Sequence, residues 1–163
     1  LPLCLFALLQ ACGYHFAGGG SLPAGILSLY IPTMENRSAE TGIETTVTNA
    51  LAEEAGRRQI VVAASADTAD GVIIGEISRI ATTTVSRSGD NTALERRVQI
   101  QLRLRLEDAA ARTIKRIDTV RADSVYDVID GDEAATEANR NVALEEAARE
   151  VAELVYQRLT EDF

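Results

Sequence analysis

The chain has 163 residues, 25 of them acidic and 16 basic, for a formal charge of −9, and 46% of it is hydrophobic but only 4% aromatic. That length suits one domain with a core of Val, Ile and Leu and leaves little for a second. The acidic balance argues against nonspecific nucleic-acid binding by the whole surface, and a single histidine, His15, argues against a Ser-His or Cys-His couple inside the fold.

Leu1 to Leu9 is apolar and uncharged, too short for the roughly 20 residues that span a bilayer as helix. It reads as the h-region of a signal peptide whose start lies before this numbering. Leu9-Gln10-Ala11-Cys12 follows the pattern of a lipobox, in which the cysteine receives lipid, although Gln10 stands where a small residue is usual. Ordinary cleavage after Ala11 is the alternative; it would leave Cys12 as a free thiol or half of a disulfide. Cys4 leaves with the leader, so Cys12 has no partner within the mature chain, which favours lipid. Two or three acyl chains anchor stably, where one binds only marginally. Gly13 to Gly25 holds five glycines and reads as a tether. The expected organisation is a signal peptide over 1–11, a lipidated cysteine and tether over 12–25, and a single domain over 26–163.

Ile26 to Ile31 reads as a short strand ended by Pro32, and Asn36 to Gly42 as a turn. Ile43, Val47, Ala50 and Leu51 recur at helical spacing and predict a helix to Ala55 with Gly56 as its cap. Gln59 to Ala64 is β-branched and strand-like, and Asp70-Gly71 opens a strand over Val72 to Val85. Val98, Ile100, Leu102, Leu104 and Leu106 alternate with Gln99, Gln101, Arg103 and Arg105, which predicts a strand with one buried and one polar face. Ala109 to Ala111 is a hairpin tip. Arg112 to Ala122 returns with imperfect alternation, the mark of a bulge or an edge. Leu144, Ala148, Val151 and Val155 form the apolar stripe of a long helix over Ala134 to Leu159. These elements predict an α+β two-layer sandwich, a mostly antiparallel sheet with two helices on one face and the other face free.

No nucleophile, zinc-ligand or phosphate-loop motif is present, so no enzyme activity and no cofactor are expected. Asp127, Asp130, Asp132 and Glu133 around Gly131 are either a Ca²⁺ cluster off EF-hand spacing or a turn and helix N-terminus. Charge is segregated: eight of the basic residues lie between Arg96 and Arg121, opposed only by Glu107, Asp108 and Asp118. Arg96, Arg97, Arg103, Arg105, Lys115 and Arg116 are the candidate ligand-binding residues. Arg103 and Arg105 point from one strand face and can form a phosphate-sized patch; equally, they can be the solvated face of a strand. Arg149 and Arg158 on the terminal helix are expected to sit among carboxylates as bystanders.

Cys12-Gly13-Tyr14-His15-Phe16 after the lipobox, Leu22-Pro23, the strand Ile26 to Pro32, the run Asp70-Gly71-Val72-Ile73-Ile74-Gly75-Glu76-Ile77, and Tyr126-Asp127 before the last helix resemble the lipopolysaccharide-assembly lipoprotein family, LptE. The resemblance implies a protein that plugs the outer-membrane β-barrel LptD, assists its assembly and binds lipopolysaccharide through basic residues. By likeness to enteric sorting rules, Gly13 in place of aspartate after Cys12 implies lipid anchoring in the outer membrane, on its periplasmic face. Another assembly or secretion lipoprotein of that membrane, or a lipid-anchored periplasmic enzyme, is the alternative.

Overall fold

The structure, a computed structural model, describes residues 22–89 and 92–161. The leader, Cys12 and most of the expected tether lie outside the described residues. Leu22 and Pro23 are already buried, and Pro23–Gly25 forms a single 3-10 turn. The elements that follow are β1 (Ser28–Tyr30), β2 (Glu35–Asn36), α1 (Ile43–Arg57), β3 (Val61–Val62), β4 (Gly71–Arg87), β5 (Ala93–Asp108), β6 (Thr113–Asp127) and α2 (Glu133–Thr160).

The sheet runs β3-β1-β4-β5-β6. β1 lies parallel to β4 at Gly71 and Val72, and β2 takes the next stretch of the same β4 edge at Glu76 and Ile77. The three long strands pair antiparallel and make the bulk of the sheet, which is the expected α+β class. At about 3.3 Å per residue, β4 is some 55 Å long.

All five apolar residues of the alternating run are buried, from Val98 at 0% to Leu104 at 4% exposure. They form one core with Ile73 and Ile77 of β4, Ile117 and Val120 of β6, and the α2 stripe Leu144, Ala148, Val151 and Val155. β6 is both an edge strand and bulged: Leu102 pairs with Val120 but Leu104 with Ile117. Two residues, Asp118 and Thr119, fill one step there. The bulge reverses which parity of β6 faces the helices, and this is why its alternation is imperfect in sequence.

Several local boundaries differ from the sequence reading, each for a tertiary reason. Gly56 lies inside α1, and Arg58 takes the cap. Glu54 is buried at 4%, held by Arg57 at 2.6 Å and Arg58 at 2.5 Å. The Arg58 guanidinium also lies 5.7 Å from the Tyr156 ring centre, and the Tyr156 hydroxyl donates to Leu51 O at 3.1 Å. These contacts latch the end of α1 to α2. The strand expected over Gln59 to Ala64 shrinks to two residues, because only there does β1 run alongside it. The acidic cluster serves as turn and cap, with Gly131 at φ 72 and the Asp132 carboxylate accepting from Ala135 N at 2.9 Å.

The Asp70-Gly71 run fastens the first strand. The Asp70 carboxylate accepts from Leu27 N (3.1 Å), Ser28 N (2.9 Å) and Ser28 Oγ (2.8 Å). A Cβ at Gly71 would come within 2.9 Å of Ile26 Cδ1 and 3.2 Å of Glu107 O, and one at Gly75 would collide with Met34 Sδ. Both glycines therefore allow the N-terminal segment to pack closely against β4.

Four carboxylates among the described residues sit below their usual range, Glu44 through backbone amide hydrogen bonds at the start of α1 and the Asn36 side chain, and three others for different reasons. Asp70 is held down by the Ser28 hydroxyl and then by the Leu27 and Ser28 amides. Asp108 is held down by the Arg112 amide and side chain in the β5–β6 turn. Glu40 is held down by its hydrogen bond with Arg140 of α2. A carboxyl whose folded pKa is depressed stabilises the fold above its unfolded pKa and loses that contribution as pH falls through the folded value. Acidification below the ordinary carboxylate range is therefore expected to lower the urea midpoint. Asp70→Asn should flatten part of that dependence, and an unchanged pH profile in this variant would refute the role given to Asp70.

Candidate functional site

The sheet face away from the helices carries the polar residues of the alternating strands. In β5 these are Arg97, Gln99, Gln101, Arg103, Arg105 and Glu107; registered against them are Glu76 beside Arg103 and Ile74 beside Arg105 on β4, with Arg116 beside Arg105 on β6. Arg103, Arg105 and Arg116 meet around a depression of about 240 Å³ that Glu35, Glu76 and Asp118 also line.

The six candidate residues, five arginines and one lysine, do not form one patch. Arg97 lies on the same face further along the sheet, paired with Asp123 at 3.0 Å. Arg96 stands opposite Thr84 and Tyr126, so it shares the helix side of the sheet and borders Val128, Ile129 and the α2 N-terminus. Lys115 pairs with Leu106 in register, and its Nζ donates to Glu161 O at 2.6 Å, at the far end of α2. Strand parity and the β6 bulge separate these two from the rest.

Acidic residues that sequence reading did not single out share the face. Glu76 receives Arg103 at 3.3 Å and Arg37 at 3.1 Å, and Arg37 also reaches Glu35 at 2.9 Å. Arg105 is 2.5 Å from Glu107 two residues on. Among the described residues, Arg116 has no carboxylate within ion-pairing distance. The Arg103 and Arg105 side chains are 58% and 41% exposed, and exposed pairs of this kind contribute about 0–1 kcal/mol. A phosphate, which takes bidentate guanidinium contacts, can therefore displace the carboxylates at little cost. Glu76 was legible only as a polar residue within an apolar strand; that it faces Arg103 follows from the β4–β5 register.

Arg158 is not a bystander. Its guanidinium donates to the Thr119 carbonyl in the β6 bulge, so it satisfies a backbone group that the ladder leaves open. Arg149 is exposed and serves as the neutral reference on that helix.

No helix among the described residues is long and apolar enough to cross a membrane. The fold is shared with solved bacterial lipoproteins. Lipoprotein B from Nitrosomonas europaea matches with a TM-score of 0.59 at 16% identity, over 91% of this chain and 90% of that one. The minor lipoprotein from Acinetobacter baumannii gives 0.55 at 12% identity, over 82% and 90%. Rare lipoprotein B from Shewanella oneidensis gives 0.53 at 11% identity, over 81% and 92%. No curated protein sequence matches the chain. Fold and open face together define an α+β protein with the same fold as these lipoproteins. The sequence profile of the lipopolysaccharide-assembly family, LptE, matches residues 26–159, and the chain belongs to that family. It is a family of assembly lipoproteins and not of enzymes.

Proposed function

We propose that this chain is an outer-membrane lipoprotein, held on the periplasmic face through lipid on Cys12. In this reading it seats in the LptD barrel, assists that barrel's assembly, and binds lipopolysaccharide through Arg103, Arg105 and Arg116, with Arg97 along the same face. Membership of the lipopolysaccharide-assembly family over residues 26–159 carries this reading. The three guanidiniums around one depression support the ligand contact.

Charge-assisted contacts to phosphate contribute about 1.5–3 kcal/mol each. Replacing Arg103 and Arg105 together with glutamine is therefore expected to weaken lipopolysaccharide binding about tenfold or more. The fold should change by only about half a kcal/mol per site, because both residues lie on the open face. Arg149→Gln is the control. Binding at two salt concentrations, with circular dichroism to confirm folding, decides the matter: equal affinity in all three folded proteins returns these arginines to a solvated strand face. Recovery of the native lipoprotein from outer membranes without a large barrel protein would reject the LptD reading.

A further inference from the structure

We infer that the open face holds a second subsite beside the arginine cluster, which takes a fatty-acyl chain of the same phosphate-bearing lipid. The inference rests on the lipopolysaccharide reading above and adds to it where the chain lies and which way it points.

A depression of about 440 Å³ adjoins the one that Arg103, Arg105 and Arg116 line, and Ile74 belongs to both. Its apolar lining is Ala66, Val72, Ile74, Ala109 and Ala111. Val72 and Ile74 are only half-buried although apolar, because they sit on the open face, opposite Glu107 and Arg105. Three carboxylates line the rim: Asp67 is exposed to solvent, and the other two are engaged elsewhere. Glu107 accepts Arg105, and Asp108 accepts the Ala110 and Arg112 amides and the Arg112 side chain. Exposed apolar surface rimmed by polar groups is the usual form of a binding groove.

Two observations select an amphiphile with an anionic head as its occupant. The first is charge: guanidiniums stand only at one end of the combined groove, offset there by Glu35, Glu76 and Asp118, while the other end gathers the apolar side chains and offers carboxylates but no cation, so an anionic head is accepted at the arginine end alone. The second is position. The apolar end lies at the β5–β6 turn, where Leu29 pairs with Gly71 and Gly71 with Asp108, so the N-terminal segment enters the sheet at this end. Cys12 precedes Leu22 by ten residues, at most about 35 Å of extended chain, which keeps this end within reach of the bilayer that holds the lipid. The acyl chain thus lies over Val72, Ile74 and Ala109 toward the anchored end, and the phosphate lies over Arg103, Arg105 and Arg116 away from it.

The test compares intact lipopolysaccharide with its fully deacylated form, on the purified chain from Gly13 and on two variants. Val72→Thr/Ile74→Thr keeps β-branched side chains, and Ala109→Glu places a charge at the turn without touching the core. Wild type is expected to bind the intact form at least tenfold more tightly than the deacylated form. Both variants should lose about tenfold for the intact form and keep wild-type affinity for the deacylated form. Folded variants with unchanged affinity for the intact form, or a wild type that binds both forms equally, would overturn the acyl subsite and leave the arginine contact standing. Variants that bind lipid normally but no longer copurify with a barrel protein would assign the groove to a protein partner, which also overturns it. A wild type that binds neither form rejects the lipopolysaccharide reading itself.

Discussion

Leu102→Ala is expected to lower the unfolding free energy by about 2–5 kcal/mol, the range for removing a fully buried leucine from a core that relaxes only in part. Leu102 is 0% exposed, pairs in register with Ile77 on one side and Val120 on the other, and stands next to the β6 bulge. The surrounding backbone is therefore tied by two ladders and is poorly placed to collapse into the cavity. Domains of this size hold about 5–15 kcal/mol in total, so the variant should lose a sizeable share of its stability and unfold at a clearly lower urea concentration. Urea titration measures the loss. Gln101→Ala, one residue earlier on the open face, should cost under about half a kcal/mol. A loss below about 1 kcal/mol at Leu102 would mean that the buried face of β5 has been assigned to the wrong side, since a one-residue slip exchanges the two faces of a strand.

Cys12→Ala is expected to abolish lipid attachment and move the protein that no barrel partner holds into the soluble periplasmic fraction. The alanine side chain offers no thiol to acylate. An acyl chain contributes about 0.8 kcal/mol per buried methylene, so losing the acyl chains removes most of the membrane affinity. A fatty-acid probe fed to cells reports attachment, and fractionation reports location. Continued labelling of the variant would refute the anchor. Loss of labelling with retention in the membrane would mean instead that a protein partner is sufficient to hold the domain there.

These two expectations rest on the parts of the molecule most legible in the sequence. The β5 alternation could be read directly because a strand places successive side chains on opposite faces whatever its partners do. The α2 stripe was equally plain, since its 3.6-residue period belongs to the helix itself. The opening Cys-Gly-Tyr-His segment, with the Asp70-Gly71 run, pointed to the family that the match over residues 26–159 shows. The structure adds why two of those residues stand where they do: Asp70 ties down Ser28, and Gly71 makes space for Ile26.

The chain alone thus determined the fold class, the buried face of the central strand and the family, because each depends on local periodicity or on a contiguous motif. Only the tertiary structure decided which basic residues share a site. Six looked contiguous between Arg96 and Arg116, yet parity turns Arg96 toward the helix side, and the β6 bulge leaves Lys115 beside Leu106 with its amine at the end of α2. The contacts that shape the open face and fasten α2 join residues far apart in sequence, Glu76 to Arg103 and Glu40 to Arg140. Register, bulges and crossovers are set by how whole strands and helices pack, and no window of sequence contains both partners of such a pair.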